Sequence, residues 1–397
     1  MFVHERLDPN DQFRQRRDRH RRSRRRRRNA LAAVLLLAAV ATPITVFVSG
    51  GDGSRAAGTV QAPPAAAAVR SKPLPRPRAV PKEIRGVHIT MPLASLPGRI
   101  DQYIGLREYG LNTIEVDVKD ESGQVGFASA YALDAQATGA VRRYYDPKVV
   151  AQHAHGLGIY LIGRVVVFED PVLARARPQF ALRRPDGQPW VNAAGLGWVS
   201  QYDRAVWKYA VDVAEGAARA GFDEIQFDYV RFPSDGDVES IVYPGRRVEP
   251  KSVTINRFLQ YAVSRLRPLG VRISADLFGL AATHDLRIGQ VPATIGRTLD
   301  AIYPMVYPSH YSAGEFNLPD PEASPGPTVG RSVTDFNRAT RGKRARIIPW
   351  IQDFSLKRTY TLFEVRQQIA AARAAGVGGF LLWNPRGVYT TEALRPR

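Results

Sequence analysis

The stretch Gly221-Phe222-Asp223-Glu224-Ile225-Gln226-Phe227-Asp228-Tyr229-Val230-Arg231-Phe232-Pro233 decides how the chain is read. A glycine stops a helix, a short β-rich run follows, and a proline ends it. A strand covered on both faces by other elements reads as hydrocarbon throughout. This one sets Glu224, Gln226 and Asp228 on one parity, with Ile225, Phe227 and Tyr229 on the other. A carboxylate stands where the fold favours a hydrocarbon, so Asp228 has to be solvated by a pocket, paired, or used.

The same unit recurs on both sides. Predicted strands cover 86–90, 113–119, 160–168, 224–232, 272–278, 301–308, 346–354 and 379–385. Helical patterns lie between them at 96–109, 147–157, 203–220, 252–268 and 360–375. Gly110, Gly158, Gly221, Gly270 and Gly376 each precede a strand, the C-cap signature of a helix-to-strand junction. Eight β units alternating with helices predict an α/β fold, a (β/α)8 TIM barrel. An open doubly wound sheet is the alternative, but no glycine-rich phosphate loop follows the first strand, which ends Thr90-Met91-Pro92. Only 386–397 follow the eighth strand, so a closing helix would be short, leaving Pro81 to Arg85 or a neighbouring loop to cover that side.

Four segments are expected. Residues 1–29 form a basic cytoplasmic tail, 30–48 a transmembrane signal anchor, 49–82 a Pro/Ala-rich linker, and 83–397 the barrel. The apolar run Ala30–Val48 matches the ~17–25 residues that span a bilayer, and the arginines before it put the tail inside. A cleavable signal peptide competes with this reading; the long basic region and the lack of an A-x-A site directly after the run favour an anchor. The net charge of +19 on 397 residues is concentrated in the tail, which suits topology and anionic lipid better than nucleic acid. With no cysteine, disulfides, Cys-based zinc sites and thiol chemistry are excluded. The histidines show no zinc spacing; His153 and His155 are two apart on a helix and read as surface residues. No metal or cofactor is expected.

Polar residues at C-terminal strand ends are the site candidates. They are Asp117 and Lys119 on the second strand, Asp228 and Arg231 on the fourth, Asp276 on the fifth, and Tyr307 with His310 at the sixth. Trp350, Gln352 and Asp353 lie on the seventh, and Trp383 and Asn384 on the eighth. Trp198 falls in a long connection, 169–202, after the third strand; a second long connection, 309–332, follows the sixth. Acids ringed by aromatic side chains suit sugar chemistry, since aromatic faces stack on pyranose C–H faces and paired carboxyls supply acid and nucleophile or base. Acids near the tops of neighbouring strands, such as Asp228 and Asp276, can meet the ~5–5.5 Å separation of a retaining enzyme. Asp117 and Asp353 could instead reach across the mouth, and residue types alone do not choose. Arg231 and Lys119 would lower the pKa of a nearby carboxylate. Asp223 and Glu224 begin a strand and are expected on the opposite rim, as surface charge or helix-cap partners. Asp353 alternates out of phase with Trp350 and Gln352, which points it toward the helices or the rim.

The blocks Gly221–Pro233, Ser274-Ala-Asp-Leu-Phe-Gly279, Tyr303-Pro-Met-Val-Tyr-Pro-Ser-His-Tyr311, Trp350-Ile-Gln-Asp-Phe354 and Leu381-Leu-Trp-Asn384 resemble one group. It is the bacterial "putative glycoside hydrolase" domain family, similar in turn to α-amylase-like and α-galactosidase-like TIM barrels. The likeness runs from about Arg85 to Asn384. It implies a barrel whose fourth-strand acid, Asp228, is the nucleophile. The acid/base would come from the fifth or sixth strand; the sixth lacks a carboxylate, so Asp276 is implied. The expected function is hydrolysis of an extracellular or cell-wall polysaccharide or oligosaccharide at the membrane. The alternative is a catalytically inactive glycan-binding barrel. A nucleic-acid-binding membrane protein would depend on residues 1–29 alone.

Overall fold

The computed structural model of the protein describes residues 77–245 and 249–396. The predicted basic tail, the membrane span and linker residues 49–76 lie outside them. Among the described residues, no helix is long and apolar enough to cross a membrane.

Nine strands form one sheet: β1 (Ile84–Ile89), β2 (Thr113–Lys119), β3 (Tyr160–Val166), β4 (Glu224–Asp228), β5 (Arg272–Phe278), β6 (Ala301–Met305), β7 (Arg346–Ile347), β8 (Trp350–Gln352) and β9 (Gly379–Trp383). Every pairing is parallel, and β1 pairs with both β2 and β9, so the sheet closes on itself. β7 and β8 both pair with β6 and are two halves of one stave interrupted at Ile348-Pro349. Proline cannot donate to a ladder. Ile348 N–H still reaches Ile302 O at 3.0 Å and Pro349 O accepts from Leu381 N–H at 3.1 Å, so the break is local. The result is the expected eight-stave α/β barrel.

The main helices are α1 (Arg99–Gly105), α2 (Pro147–Gly156), α3 (Arg204–Ala220), α4 (Lys251–Leu266), α5 (Pro292–Thr298), α6 (Pro325–Ala339) and α7 (Leu362–Ala374). One lies in each connection between successive staves, which is what carries a chain from the top of one parallel strand to the bottom of the next. All five predicted junction glycines have positive φ. Gly221, at 111°, closes α3 by donating to Ala217 and Ala218 carbonyls, a conformation that a side chain would strain.

Three expectations are corrected. β4 ends at Asp228 instead of running to Phe232, because Tyr229 turns left-handed at φ 49° and leaves the ladder. No closing helix follows β9 among the described residues. Instead a 3₁₀ turn, Thr391–Leu394, buries Leu394 near Gly110 and the turn Leu106–Tyr109 that follows α1, while Tyr389 and Gly387 bond back to His88 and Tyr103. Glu224 is not surface charge: it lies inside the lower barrel at 1 % exposure and accepts the Tyr160 hydroxyl at 2.9 Å. Asp223 does sit on the lower rim, though buried, where it accepts Leu161 N–H at 2.8 Å and pairs with His155. Val80, just before β1, packs against the inner cluster of Ile84, Tyr160, Tyr303 and Ile348 and covers part of the barrel floor.

The connection from β3 to α3 is a folded flap with its own bridges, Glu169 to Trp198, Ala181 to Val199 and Val191 to Gly197. Its tryptophans, Trp190 and Trp198, are buried, so the flap has a core of its own over the upper rim.

Candidate active site

Period-two alternation sends the same parity of every stave inward. At the C-terminal end that parity brings together His88 on β1, Asp117 on β2, Arg164 on β3, Asp228 on β4 and Asp276 on β5. A cavity of about 120 Å³ opens here. Of the expected site residues it is lined by Asp228, Asp276, Arg231, Tyr307, Trp350 and Trp383. Arg164, Tyr229, Phe278 and Met305 complete the wall. Gln226 faces Ser274 and Phe227 faces Ala275 across the β4–β5 ladder, which makes Asp228 and Asp276 the next rung. Neighbouring staves are ~4.8 Å apart, so the two carboxyls are cross-strand neighbours.

Arg164 holds one of them. Its Nε and Nη2 donate to Asp228 Oδ2 at 3.0 and 2.7 Å, and its Nη1 to Asp117 Oδ1 at 2.7 Å. Tyr229 N–H donates to the other Asp228 oxygen at 2.6 Å, a contact that the left-handed turn permits. Asp228 therefore accepts three N–H bonds, the surroundings of a fixed carboxylate.

Asp276 is kept differently. Gln226 Nε2 and Trp350 Nε1 both donate to its Oδ1, at 2.5 and 2.6 Å, and no cation touches it. Burial, then the charges of Asp228 and Glu115, push its pKa well above the ordinary carboxylate range. With both donors on Oδ1, the proton belongs on Oδ2. Behind the pair runs a buried chain: Glu115 Oε2 lies 2.5 Å from His88 Nδ1, and His88 Nε2 lies 3.5 Å from Asp117. Burial works against a charge on His88, but Asp117 and Glu115 outweigh it and raise its pKa to about 9. Burial also opposes the Asp117 charge, and His88 with Arg164 overcomes it, so the Asp117 pKa is lowered.

The family model described as "Putative glycosyl hydrolase domain" matches residues 86–389. The chain belongs to that family. Its glycosyl hydrolase domain is also similar in fold to solved barrels. The PgaB (BpsB) glycoside hydrolase domain from Bordetella bronchiseptica superposes with a TM-score of 0.55 at 13 % identity, covering 79 % of this chain and 99 % of that one. For the catalytic domain of β-amylase from Paenibacillus polymyxa the TM-score is 0.50 at 13 % identity, over 80 % of this chain and 96 % of that one. A hypothetical protein from Ruminiclostridium thermocellum ATCC 27405 is 34 % identical over 48 % of this chain and 96 % of that one, with a TM-score of 0.43. No curated protein matches significantly.

The other expected residues do not reach the cavity of the glycosyl hydrolase domain. Asp117 is one guanidinium behind it. Lys119 is carried aside by a register shift between Asp117 and Lys119, and its ammonium is buried on Asp170 at 3.0 Å and Val166 O at 2.8 Å. Trp198 is buried beneath Arg231 and beside Tyr229. Gln352 accepts Ser309 N–H at 3.0 Å and donates to Phe354 O, bracing the rim. His310 is buried against Tyr307 and Phe354. Asp353 does point to the rim, where it accepts both the N–H and hydroxyl of Thr390, while Asn384 donates to the Asp353 carbonyl. Arg231 is not the cation on Asp228; it donates to Phe232 O and Ser234 Oγ, and Arg164 takes the role expected of it.

Sequence reasoning missed Arg164, His88 and Glu115. Each breaks a hydrophobic strand on the inward parity, which is the signal that singled out Asp228. Strand alternation puts Tyr229 on the outer parity; it lines the cavity because β4 ends at Asp228, just before it.

Proposed function

We propose that this glycosyl hydrolase domain is a retaining enzyme in which Asp228 is the nucleophile and Asp276 the acid/base. The observation that carries the reading is the single rung shared by two carboxyls in opposite states. Arg164 and Tyr229 N–H fix Asp228 as an anion, and burial beside Asp228 keeps Asp276 protonated. In the first step Asp276 gives its proton to the leaving oxygen as Asp228 bonds to the anomeric carbon. In the second, Asp276, now a carboxylate, takes a proton from water, and the hydroxide so formed releases the sugar from Asp228. Trp350, Trp383 and Tyr307 offer ring faces and edges to the sugar.

Glu169, on the flap, is a third acid with a raised pKa, about 8, because it is buried. It does not line the cavity, and that favours Asp276 as the acid. The substrate is an extracellular or cell-wall polysaccharide or oligosaccharide. The apolar run at 30–48 would hold the enzyme to the outer face of the membrane, with the proline-rich linker as spacer.

Purified full chain should release sugar from members of a glycan panel. Asp276→Asn should spare aryl glycosides whose leaving group needs no proton and should lose natural linkages, whereas Asp228→Asn should lose both. Full turnover by Asp228→Asn would sink the reading. Glycan binding without turnover by the unaltered chain would leave the inactive-barrel alternative.

A further inference from the structure

Arg231 is the feature of the cavity wall that hydrolysis alone does not explain. It follows the left-handed turn at Tyr229, which lifts the chain off β4 and brings the side chain across the mouth. The residue is 2 % exposed, yet its guanidinium forms no ion pair with any described carboxylate. Only Nη1 is engaged, by Phe232 O at 3.3 Å and Ser234 Oγ at 3.1 Å. Three ring faces enclose it: Phe278 at 4.6 Å, Tyr229 at 4.8 Å and Trp198 at 5.0 Å. Aromatic faces return only part of what a guanidinium loses on leaving water. They also hold the group flat and rigid, which is how a planar fork is preorganised for a planar anion.

The neighbouring charges do not supply that anion. Asp228 is already committed to Arg164. Glu169 feels Arg231 but keeps a pKa of about 8, so at neutral pH it is largely protonated, with Asn192 donating to its Oε2 at 2.9 Å. Arg164, the other guanidinium of the wall, pairs with Asp117 and Asp228 at 2.7 Å and with Glu121 at 3.6 Å, whereas Arg231 pairs with no described carboxylate.

We propose that Arg231 is an anion subsite, and that the sugar bound over Asp228 and Asp276 bears a carboxylate. The free edge of the guanidinium takes the two carboxylate oxygens side by side. The carboxyl belongs to the ring, as in a hexuronic acid, or to an ether substituent, as in a lactyl sugar. This deepens the hydrolase reading by naming the class of its substrate, and it rests on that reading for the position of the sugar.

The test is binding to the full-length protein, so that it does not depend on turnover. Three probes are titrated by calorimetry: a glucuronate-containing tetrasaccharide, the same tetrasaccharide with its carboxyls reduced to alcohols, and an N-acetylmuramate disaccharide. One acidic probe is expected to bind at least roughly tenfold more tightly than the reduced tetrasaccharide, and which one it is identifies the source of the carboxylate. Arg231→Lys and Arg231→Met should each remove that margin and leave the weak affinity for the reduced probe. Should either variant fail to fold, the comparison among probes on the unaltered protein still decides. Equal or tighter binding of the reduced tetrasaccharide, an acid preference that survives in Arg231→Met, or no measurable binding of either acid would overturn the proposal. Asp228→Asn should keep the acid preference; a protein that shows it but turns over no glycan would refute the hydrolase reading and leave the subsite standing.

Discussion

Asp228 and Glu224 stand on the same strand, one turn of the alternation from Gln226 on either side, and both point into the barrel. Their surroundings differ completely. At the top, Asp228 accepts two hydrogen bonds from the Arg164 guanidinium. At the bottom, Glu224 meets the hydroxyls of Tyr160, Tyr303 and Ser274 and no described cation, and burial raises its pKa. A barrel interior tolerates a carboxyl either way, by supplying a counter-ion or by holding a proton. Only the first way suits the proposed nucleophile, and the upper layer places Arg164, His88 and Asp117 around it.

That contrast can be tested at four points. Asp228→Asn removes the charge but preserves shape, and turnover should fall by roughly 10⁴-fold, equivalent to about 5.4 kcal/mol, with the fold intact by circular dichroism. Arg164→Met should be the most damaging to stability, by about 3–5 kcal/mol in denaturant unfolding, because it strands Asp228 without its counter-ion and leaves Asp117 with His88 alone. If it melts like the unaltered protein, the upper layer does not need its cation. His88 gives a pH signature. Its folded pKa of about 9 lies above the unfolded value of ~6.5, so its contribution is fully present below ~6.5 and is lost as pH rises through about 9. Thermal melts should therefore show a loss of stability between these limits that is absent in His88→Gln. The smallest effect is expected for Glu224→Gln, within about 1 kcal/mol and with turnover unchanged, since an amide of the same shape still accepts from the surrounding hydroxyls and no described cation loses its partner. A loss as large as that of Arg164→Met would mean that Glu224 is charged and that the two ends of the barrel are not different after all.

The architecture was legible because it repeats. Eight apolar runs separated by helices, with glycine at the junctions, predicted the closed barrel and the positive φ at all five predicted junction glycines. Asp228 and Asp276 were legible for a related reason: each interrupts a hydrophobic strand near its C-terminal end, and register then puts them side by side. Arg164 carries the same signal, a charged residue on the inward parity of a hydrophobic strand. The remaining errors come from backbone geometry that residue types do not encode. A register shift after Asp117 takes Lys119 out of the site, and one left-handed residue swings Tyr229 into it. Whether Trp198 faces sugar or the flap's own core depends on how that long connection folds, which no local pattern states.

The seam between β1 and β9 sets the order in which this site comes into being. Ile84 pairs with Gly379, and Tyr389 donates to His88 O across 301 residues of sequence. Until β9 has arrived, β1 keeps a bare edge of backbone N–H and C=O groups. His88 meanwhile lacks the Trp383 ring that packs on it at 4.7 Å. A contact of such length forms late and slowly, and an open parallel edge in the meantime invites pairing with other chains. Asp228 and Arg164 sit on β4 and β3, but the wall that encloses their cavity is completed by Trp383 on the last stave. On the proposed mechanism, the chain carries every acting group before closure but has no enclosed cavity, so that assembly of the barrel and onset of activity would be a single event.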